Sequence, residues 1–263
     1  MSSNPIQFTN GSTYERYMGE WSRLAGNVFL DWLAPTAGLR WLDVGCGNGA
    51  FTDLLVQRCA PAAISGIDPS EAQLVHARTR QALQRVDFRA GDAMALPYPD
   101  SAFDAAVMPL VIFFLTDPAR GVTEMARVVS PGGTVAAYAW DIEGGGFPYE
   151  MLHEEMRQLG CTVPMLPSPA AANIDTMQEL WTSAGLKAIA THVITVERTF
   201  LDMDDFWTTI GGSPAAGPTL AAMSIEARTL LRERLTGRLL TGTSGQIRCR
   251  GRAHAVKGHV TYR

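Results

Sequence analysis

The sequence predicts an α/β protein built on a mostly parallel, doubly wound sheet. Three observations carry that expectation. Short apolar runs that read as buried strands alternate with segments of helical periodicity. The first of these runs ends in a glycine-rich turn that opens a helix. The first and second strands end in an acid, Asp43 and Asp68, and Asp92 follows the third.

The elements follow in order. Trp41-Leu42-Asp43-Val44 reads as the first strand, Gly45-Cys46-Gly47-Asn48-Gly49-Ala50 as the turn, and residues 51–58 as a helix with Phe51, Leu54 and Leu55 on one face. Glycines let the backbone turn tightly and let a ligand approach it, and the N–H groups at a helix start are free to bind ligand atoms. The second strand, residues 62–68, ends in Asp68 and runs into Pro69-Ser70, with Ser70 and Gln73 at capping-box spacing. Residues 86–90 form the third strand and lead to Gly91-Asp92-Ala93-Met94, and residues 103–108 form the fourth. Asp117-Pro118 starts a helix that stops at Ser130-Pro131-Gly132-Gly133, before a fifth strand at 134–140. Beyond a glycine joint at 144–146, helices are expected at 148–159 and 177–186, and a sixth strand at 188–200. A helix capped by Asp202, a Gly/Pro-rich segment at 211–218, a longer helix at 224–240 and a seventh strand at 246–256 complete the chain.

Two cofactors compete for the glycine turn. Gly45-x-Gly47-x-x-Ala50 satisfies the dinucleotide fingerprint, and Asp68 lies at about the matching distance downstream. Asp43 argues the other way. Its carboxylate beside the turn would repel a pyrophosphate, whereas S-adenosylmethionine (SAM) has no phosphate and carries an ammonium and a sulfonium. Asp68 can accept from a ribose diol, which both cofactors possess. Near an adenine, Asp92 can accept from the exocyclic amine and Met94 can supply apolar contact.

Leu42-Asp43-Val44-Gly45-Cys46-Gly47-Asn48-Gly49, Gly66-Ile67-Asp68-Pro69-Ser70, Gly91-Asp92-Ala93, Phe103-Asp104 and Arg127-Val128-Val129-Ser130-Pro131-Gly132-Gly133 follow in that order. Together they resemble the class I SAM-dependent methyltransferases, specifically the type 11 methyltransferase domain, over about residues 35–140. The resemblance implies a Rossmann-like sheet of seven strands in the order 3-2-1-4-5-7-6, the last antiparallel. It implies SAM as cofactor and S-adenosylhomocysteine as product, with Asp43, Gly45, Cys46, Gly47, Gly49, Asp68, Pro69, Ser70, Asp92, Ala93, Met94 and Met108 around the cofactor. Residues 14–23 are similar to the lid segment that precedes this domain in relatives. Tyr14, Tyr17 and Arg23 would then fold over the cofactor, Arg23 on the methionine carboxylate. Equally, the segment is an amphipathic helix that packs through Trp21 and Leu24. The implied organisation is lid helices at 1–34, a SAM-binding core at 35–141, and a C-terminal part of the same domain at 142–263 with a helical cap at about 201–243.

The 263 residues suit one elaborated domain, and the net charge of −4 does not favour sequence-independent binding to phosphate backbones. Arg248, Arg250 and Arg252 read as one exposed strand face. No nucleic-acid or membrane partner is expected, since no apolar run is long enough to span a bilayer. The polar N-terminus and the unpaired spacing of Cys46, Cys59, Cys161 and Cys249 suit a reduced, cytoplasmic protein. His153-Glu154-Glu155 lacks a second His at metalloprotease spacing, so no metal is expected.

At the fourth strand, many amino-methylating relatives carry an Asn/Asp-Pro-Pro-aromatic motif. Here Met108-Pro109-Leu110-Val111 stands in its place, with no side chain to hold an amide or base nitrogen. The expected acceptor is a small apolar or aromatic molecule, in a pocket formed by Phe113, Trp140, Phe147, Tyr149, Phe206 and Trp207. Transfer from a sulfonium is an in-line displacement that depends mainly on alignment. Asp141, Glu143 and His153, with His192, are the weak candidates for a base. An NAD-dependent oxidoreductase using the same loop and a SAM-binding protein without activity are the alternatives.

Overall fold

The computed structural model describes residues 15–241 and 245–261. Their sheet runs β3-β2-β1-β4-β5-β8-β6, and a two-residue β7 (Leu240–Thr241) pairs with β8. The strands on this path are β1 (Arg40–Val44), β2 (Ala63–Asp68), β3 (Asp87–Ala90), β4 (Phe103–Pro109), β5 (Val129–Trp140), β6 (Lys187–Phe200) and β8 (Ile247–His259). The pairs from β3 across to β5 are parallel, and β8 is antiparallel to both β5 and β6. This is the expected order, with one short strand added before the last.

The parallel strands are apolar because helices cover both faces, leaving no solvated side to code for. Ala105, Ala106, Val107 and Met108 of β4 are essentially inaccessible. The helices are α1 (Glu20–Leu33), α2 (Ala50–Cys59), α3 (Glu71–Thr79), α4 (Pro118–Val128), α5 (Glu150–Gln158), α6 (Ile174–Ser183), α7 (Met203–Ile210), α8 (Gly217–Ala222) and α9 (Ile225–Arg238). Several begin at caps legible in the sequence. Ser70, Asp117, Asp202 and Ser224 each accept from a backbone N–H of the first turn.

Three boundaries differ from expectation. The stop at Ser130–Gly133 lies inside β5, because Gly132 N donates to Val260 O and Val260 N to Gly133 O, which extends the ladder. A Cβ at Gly133 would lie 2.5 Å from Asp104 O, so only glycine permits that approach. The Gly/Pro-rich segment runs into the short helix α8, with Pro218 in its first turn. The last strand runs on to His259, where it pairs with Thr134 and Lys187.

The N-terminal segment is anchored, not frayed. A π-helical turn (Glu15–Gly19) leads into α1, whose Trp21 is fully buried. Trp21 Nε1 donates to Tyr149 Oη (2.8 Å), and Tyr149 Oη donates to Tyr17 O (3.0 Å). The Tyr17 and Tyr149 rings stack at 4.7 Å. Trp21→Ala is expected to cost about 3–5 kcal/mol, read as a lower urea midpoint.

Candidate active site

The parallel register brings the ends of β1 to β4 to one edge of the sheet, where Asp43 pairs with Gly66 and Val107, and Asp68 with Ala90. The sheet order reverses between β1 and β4, which is where ligands bind in open α/β folds. A cavity of about 360 Å³ opens there.

Its floor is the glycine turn. Gly45 N and Cys46 N both donate to Ile67 O, at 2.7 and 3.1 Å, which hooks the turn over the end of β2. Gly45 has φ +73°, and an added Cβ would sit 2.3 Å from Val111 Cγ2. Asp68 Oδ2 accepts from Gly47 N (2.9 Å) and Oδ1 from Ser70 N (2.8 Å). Burial pushes its carboxyl above the usual range, opposed by these two bonds. A carboxylate oxygen has two lone pairs, so Asp68 keeps acceptor capacity toward a ligand.

Asp43 is fully buried in the cavity wall. Thr52 Oγ1 donates to its Oδ2 (2.6 Å), but Oδ1 has no partner. Burial raises the Asp43 pKa to about 7, with the Thr52 bond opposing and the Asp68 charge adding to it. An unpaired buried carboxylate oxygen is costly and marks a place for a cation or donor. Burial also pushes the Cys46 thiol well up, and Asp43 and Asp68 reinforce the shift.

Of the expected cofactor residues, Asp43, Gly45, Cys46, Gly47, Asp68, Pro69, Ser70, Asp92, Ala93 and Met94 line this cavity. Gly49 and Met108 do not. Gly49 caps α2 against Leu83, and Met108 lies wholly within the sheet. Tyr17 faces a second cavity, and Arg23 pairs with Glu20 on an exposed surface away from both. Tyr14 lies outside the described residues. The N-terminal segment contributes Met18, Gly19 and Ser22 instead. The packing of Trp21 turns that face of α1 inward, which residue type alone does not reveal.

Asn48 and Gln73 also line the cavity, and the sequence reading assigned neither to the cofactor. Asn48 Nδ2 donates to Glu15 Oε2 (2.7 Å), and Arg80 also pairs with Glu15, so the turn is tied to the N-terminal segment. Gln73 was expected to close a capping box. Ser70 Oγ does accept from Gln73 N, but the Gln73 amide is buried in the cavity wall without a partner.

A second cavity, of about 370 Å³, adjoins the first, and Met18, Leu110 and Phe114 line both. Leu110 takes a left-handed backbone (φ +60°), a costly conformation for a side chain of its size. Of the six rings expected in the acceptor pocket, Phe113, Trp140 and Phe147 line the second cavity, whereas Tyr149, Phe206 and Trp207 do not. Tyr149 and Phe206 are buried core, and Trp207 packs against that core. Of the cap segment, Ser213, Pro214 and Ala215 reach the lining.

Glu143 and His153 also line this cavity. Asp141 does not: it accepts from Arg252 Nε (2.9 Å), Arg252 Nη2 (2.7 Å) and Gly144 N (2.9 Å), a structural clamp. His192 stacks on Trp32 away from both cavities. The arginine stripe is spent within the sheet, with Arg248 and Arg250 on Glu197.

An acid-tipped crevice thus lies at the switch point of the β3-β2-β1-β4-β5-β8-β6 sheet, with an apolar cavity beside it. Residues 42–137 match the family model described as a methyltransferase domain. The chain is 36% identical over 115 residues to the ubiquinone/menaquinone biosynthesis C-methyltransferase UbiE of Roseobacter denitrificans, covering 42% of this chain and 46% of the relative. It is 41% identical over 95 residues to the chloroplastic 2-methyl-6-phytyl-1,4-hydroquinone methyltransferase 2 of Oryza sativa, covering 36% of this chain and 27% of that one. The matches thus span less than half the length of these relatives. Among solved structures, the YcgJ protein of Bacillus subtilis shares the fold at a TM-score of 0.59 and 20% identity, over 91% of this chain and 99% of that one. Phosphoethanolamine N-methyltransferase 2 of Haemonchus contortus, solved with S-adenosyl-L-methionine, has a TM-score of 0.60 at 17% identity, over 95% of this chain and 57% of that one. Among the described residues, no helix is long and apolar enough to cross a membrane.

Proposed function

We propose that this chain transfers a methyl group from SAM to a small, largely apolar acceptor. The observation that carries the reading is the pair of adjoining cavities, one floored by a glycine turn with two acids, the other walled by Phe113, Trp140 and Phe147. The residues present fit the cofactor. The unpaired Oδ1 of Asp43 suits the donors and positive charge of SAM, Asp68 keeps lone pairs for a ribose, and Ala93 and Met94 offer apolar contact. When bound, SAM supplies an electrophilic methyl group.

The protein's own task is then alignment. Met18, Leu110 and Phe114 stand at the junction, where they can exclude water and set the line of approach. The two curated relatives bear names that place them on quinone-type compounds, which favours a ring acceptor here. A dinucleotide would bring its pyrophosphate against Asp43, so hydride transfer is disfavoured on charge.

Isothermal titration with SAM, S-adenosylhomocysteine and NADH tests the reading. Binding of the first two and not the third is the expected result, and binding of NADH alone would sink it. Asp68→Ala is expected to weaken SAM binding by about 1.5–3 kcal/mol, the value of a hydrogen bond to a charged group. Unchanged affinity in a folded variant would refute the placement of the ribose.

A further inference from the structure

Leu110 combines two properties that no other described residue shares. It lines both cavities, and it is a non-glycine residue with a left-handed backbone (φ +60°). Among the described residues, the other non-glycine positions with positive φ are Ala34, Ala60, Ser101 and Ala188. Each has a small side chain and a local reason. Ala34 and Ala60 cap the C-termini of α1 and α2, Ser101 lies in the turn before β4, and Ala188 lies at the register shift of β6. Leucine at such a φ is an outlier, and strain of this kind persists only where the surroundings impose it.

The surroundings of Leu110 do impose it. On one side Pro109 ends β4 in register with Tyr138, and Leu110 N donates to Tyr138 O (2.7 Å). On the other, the Val111 side chain lies against Gly45 of the glycine turn. The chain must bend between these two anchors, and the bend falls on Leu110. Its side chain is thereby held at the junction of the cavities.

Met18, Leu110 and Phe114 are the described residues common to both linings, so a group that moves from one cavity to the other passes them. Met18 is unbranched and adapts its shape easily. Phe114 ends a 3-10 turn (Ile112–Phe114) and is half-buried. Leu110 is the jaw that the backbone fixes: it cannot withdraw by rotating φ, because Tyr138 O holds its N–H and Gly45 stops Val111. We propose that Leu110 sets the width of the passage between the cavities, so that the protein admits a methyl group on the sulfonium and rejects a longer alkyl group. Leu110 is then a specificity-determining residue for the group transferred. This rests on the methyl-transfer reading of the two cavities. The physical basis is packing, since a close-packed apolar wall does not take an added methylene without strain.

The test compares two matched ligands, SAM and S-adenosyl-L-ethionine, which differ by one methylene on the sulfur. Isothermal titration of the full chain is expected to show the ethyl compound binding at least about tenfold more weakly, the effect of one methylene in a fitted apolar site. Leu110→Ala and Leu110→Gly remove the jaw, and the two affinities should then agree within about twofold. A merely structural role would weaken both ligands alike and leave their ratio unchanged. Urea denaturation reads the strain separately. Leu110→Gly should unfold at a higher midpoint than Leu110→Ala, the reverse of the usual order, because glycine takes φ +60° freely.

Equal affinities in the wild type would overturn the proposal without any variant. So would a ratio unchanged in both variants, a loss of SAM binding in both, or a lower midpoint for Leu110→Gly than for Leu110→Ala. Failure of the wild type to bind either ligand would instead overturn the methyl-transfer reading, so the two failures are distinguishable.

Discussion

Asp43→Asn is expected to stabilise the ligand-free protein while weakening its binding of SAM. The folded protein holds Asp43 at about 7 because its carboxylate is buried, against 3.8 for an ordinary Asp. Between those values the folded state keeps a proton that the unfolded state has lost, so stability falls as pH rises through the window. Above pH 7 the full penalty of a buried charge remains. Asparagine carries no charge and can still accept from Thr52, so the variant should gain on the order of 3 kcal/mol at pH 8.

The pH profile offers a second readout. His153 has the opposite sign: its folded pKa, lowered to about 4 from 6.5, makes stability rise with pH between those values. In the wild type the two slopes oppose each other over that range. In Asp43→Asn the Asp43 slope is removed, so stability should rise more steeply between pH 4 and 6.5 than in the wild type. Loss of the carboxylate should raise the dissociation constant for SAM by about 10–100-fold, the range of a charge-assisted hydrogen bond. Chemical denaturation across pH, with titration of SAM, reads both effects. A variant that is less stable at pH 8 and binds SAM undiminished would show that Asp43 is structural.

The second large effect is expected at Gly45. Gly45→Ala imposes two costs, a side chain at φ +73° and a Cβ 2.3 Å from Val111 Cγ2. Left-handed backbone costs an L-residue roughly 1–2 kcal/mol. Overpacking adds about 1–3 kcal/mol. Val111→Ala in the same chain removes both Cγ atoms, the nearer at 2.3 Å and the other at 2.8 Å, and leaves only Cβ at 3.1 Å. A double-mutant cycle by urea denaturation should therefore recover the steric part and leave the backbone part. Full additivity of the two substitutions would mean that the Val111 contact does not govern the turn.

The order of strands and helices, several helix caps and the acids of the crevice are written in the sequence. Each of these is a local signal. A strand end, a glycine turn or a cap such as Asp202 is written in a few consecutive residues, and the parallel sheet order follows once the family's ordered motifs are in place. The packing of long-range neighbours was not legible. Tyr149 and Phe206 are as aromatic as Phe113 and Phe147, and nothing in composition says which rings face a cavity and which pack into the core. Asp141 is as acidic as Glu143, but Arg252, from a strand more than a hundred residues later, turns it into a clamp. Gln73 read as a cap because its spacing is a cap's, yet its amide is turned into the cavity wall. Tertiary structure decided these cases because burial and pairing depend on partners distant in the chain, and a side chain's chemistry is fixed by what it meets there.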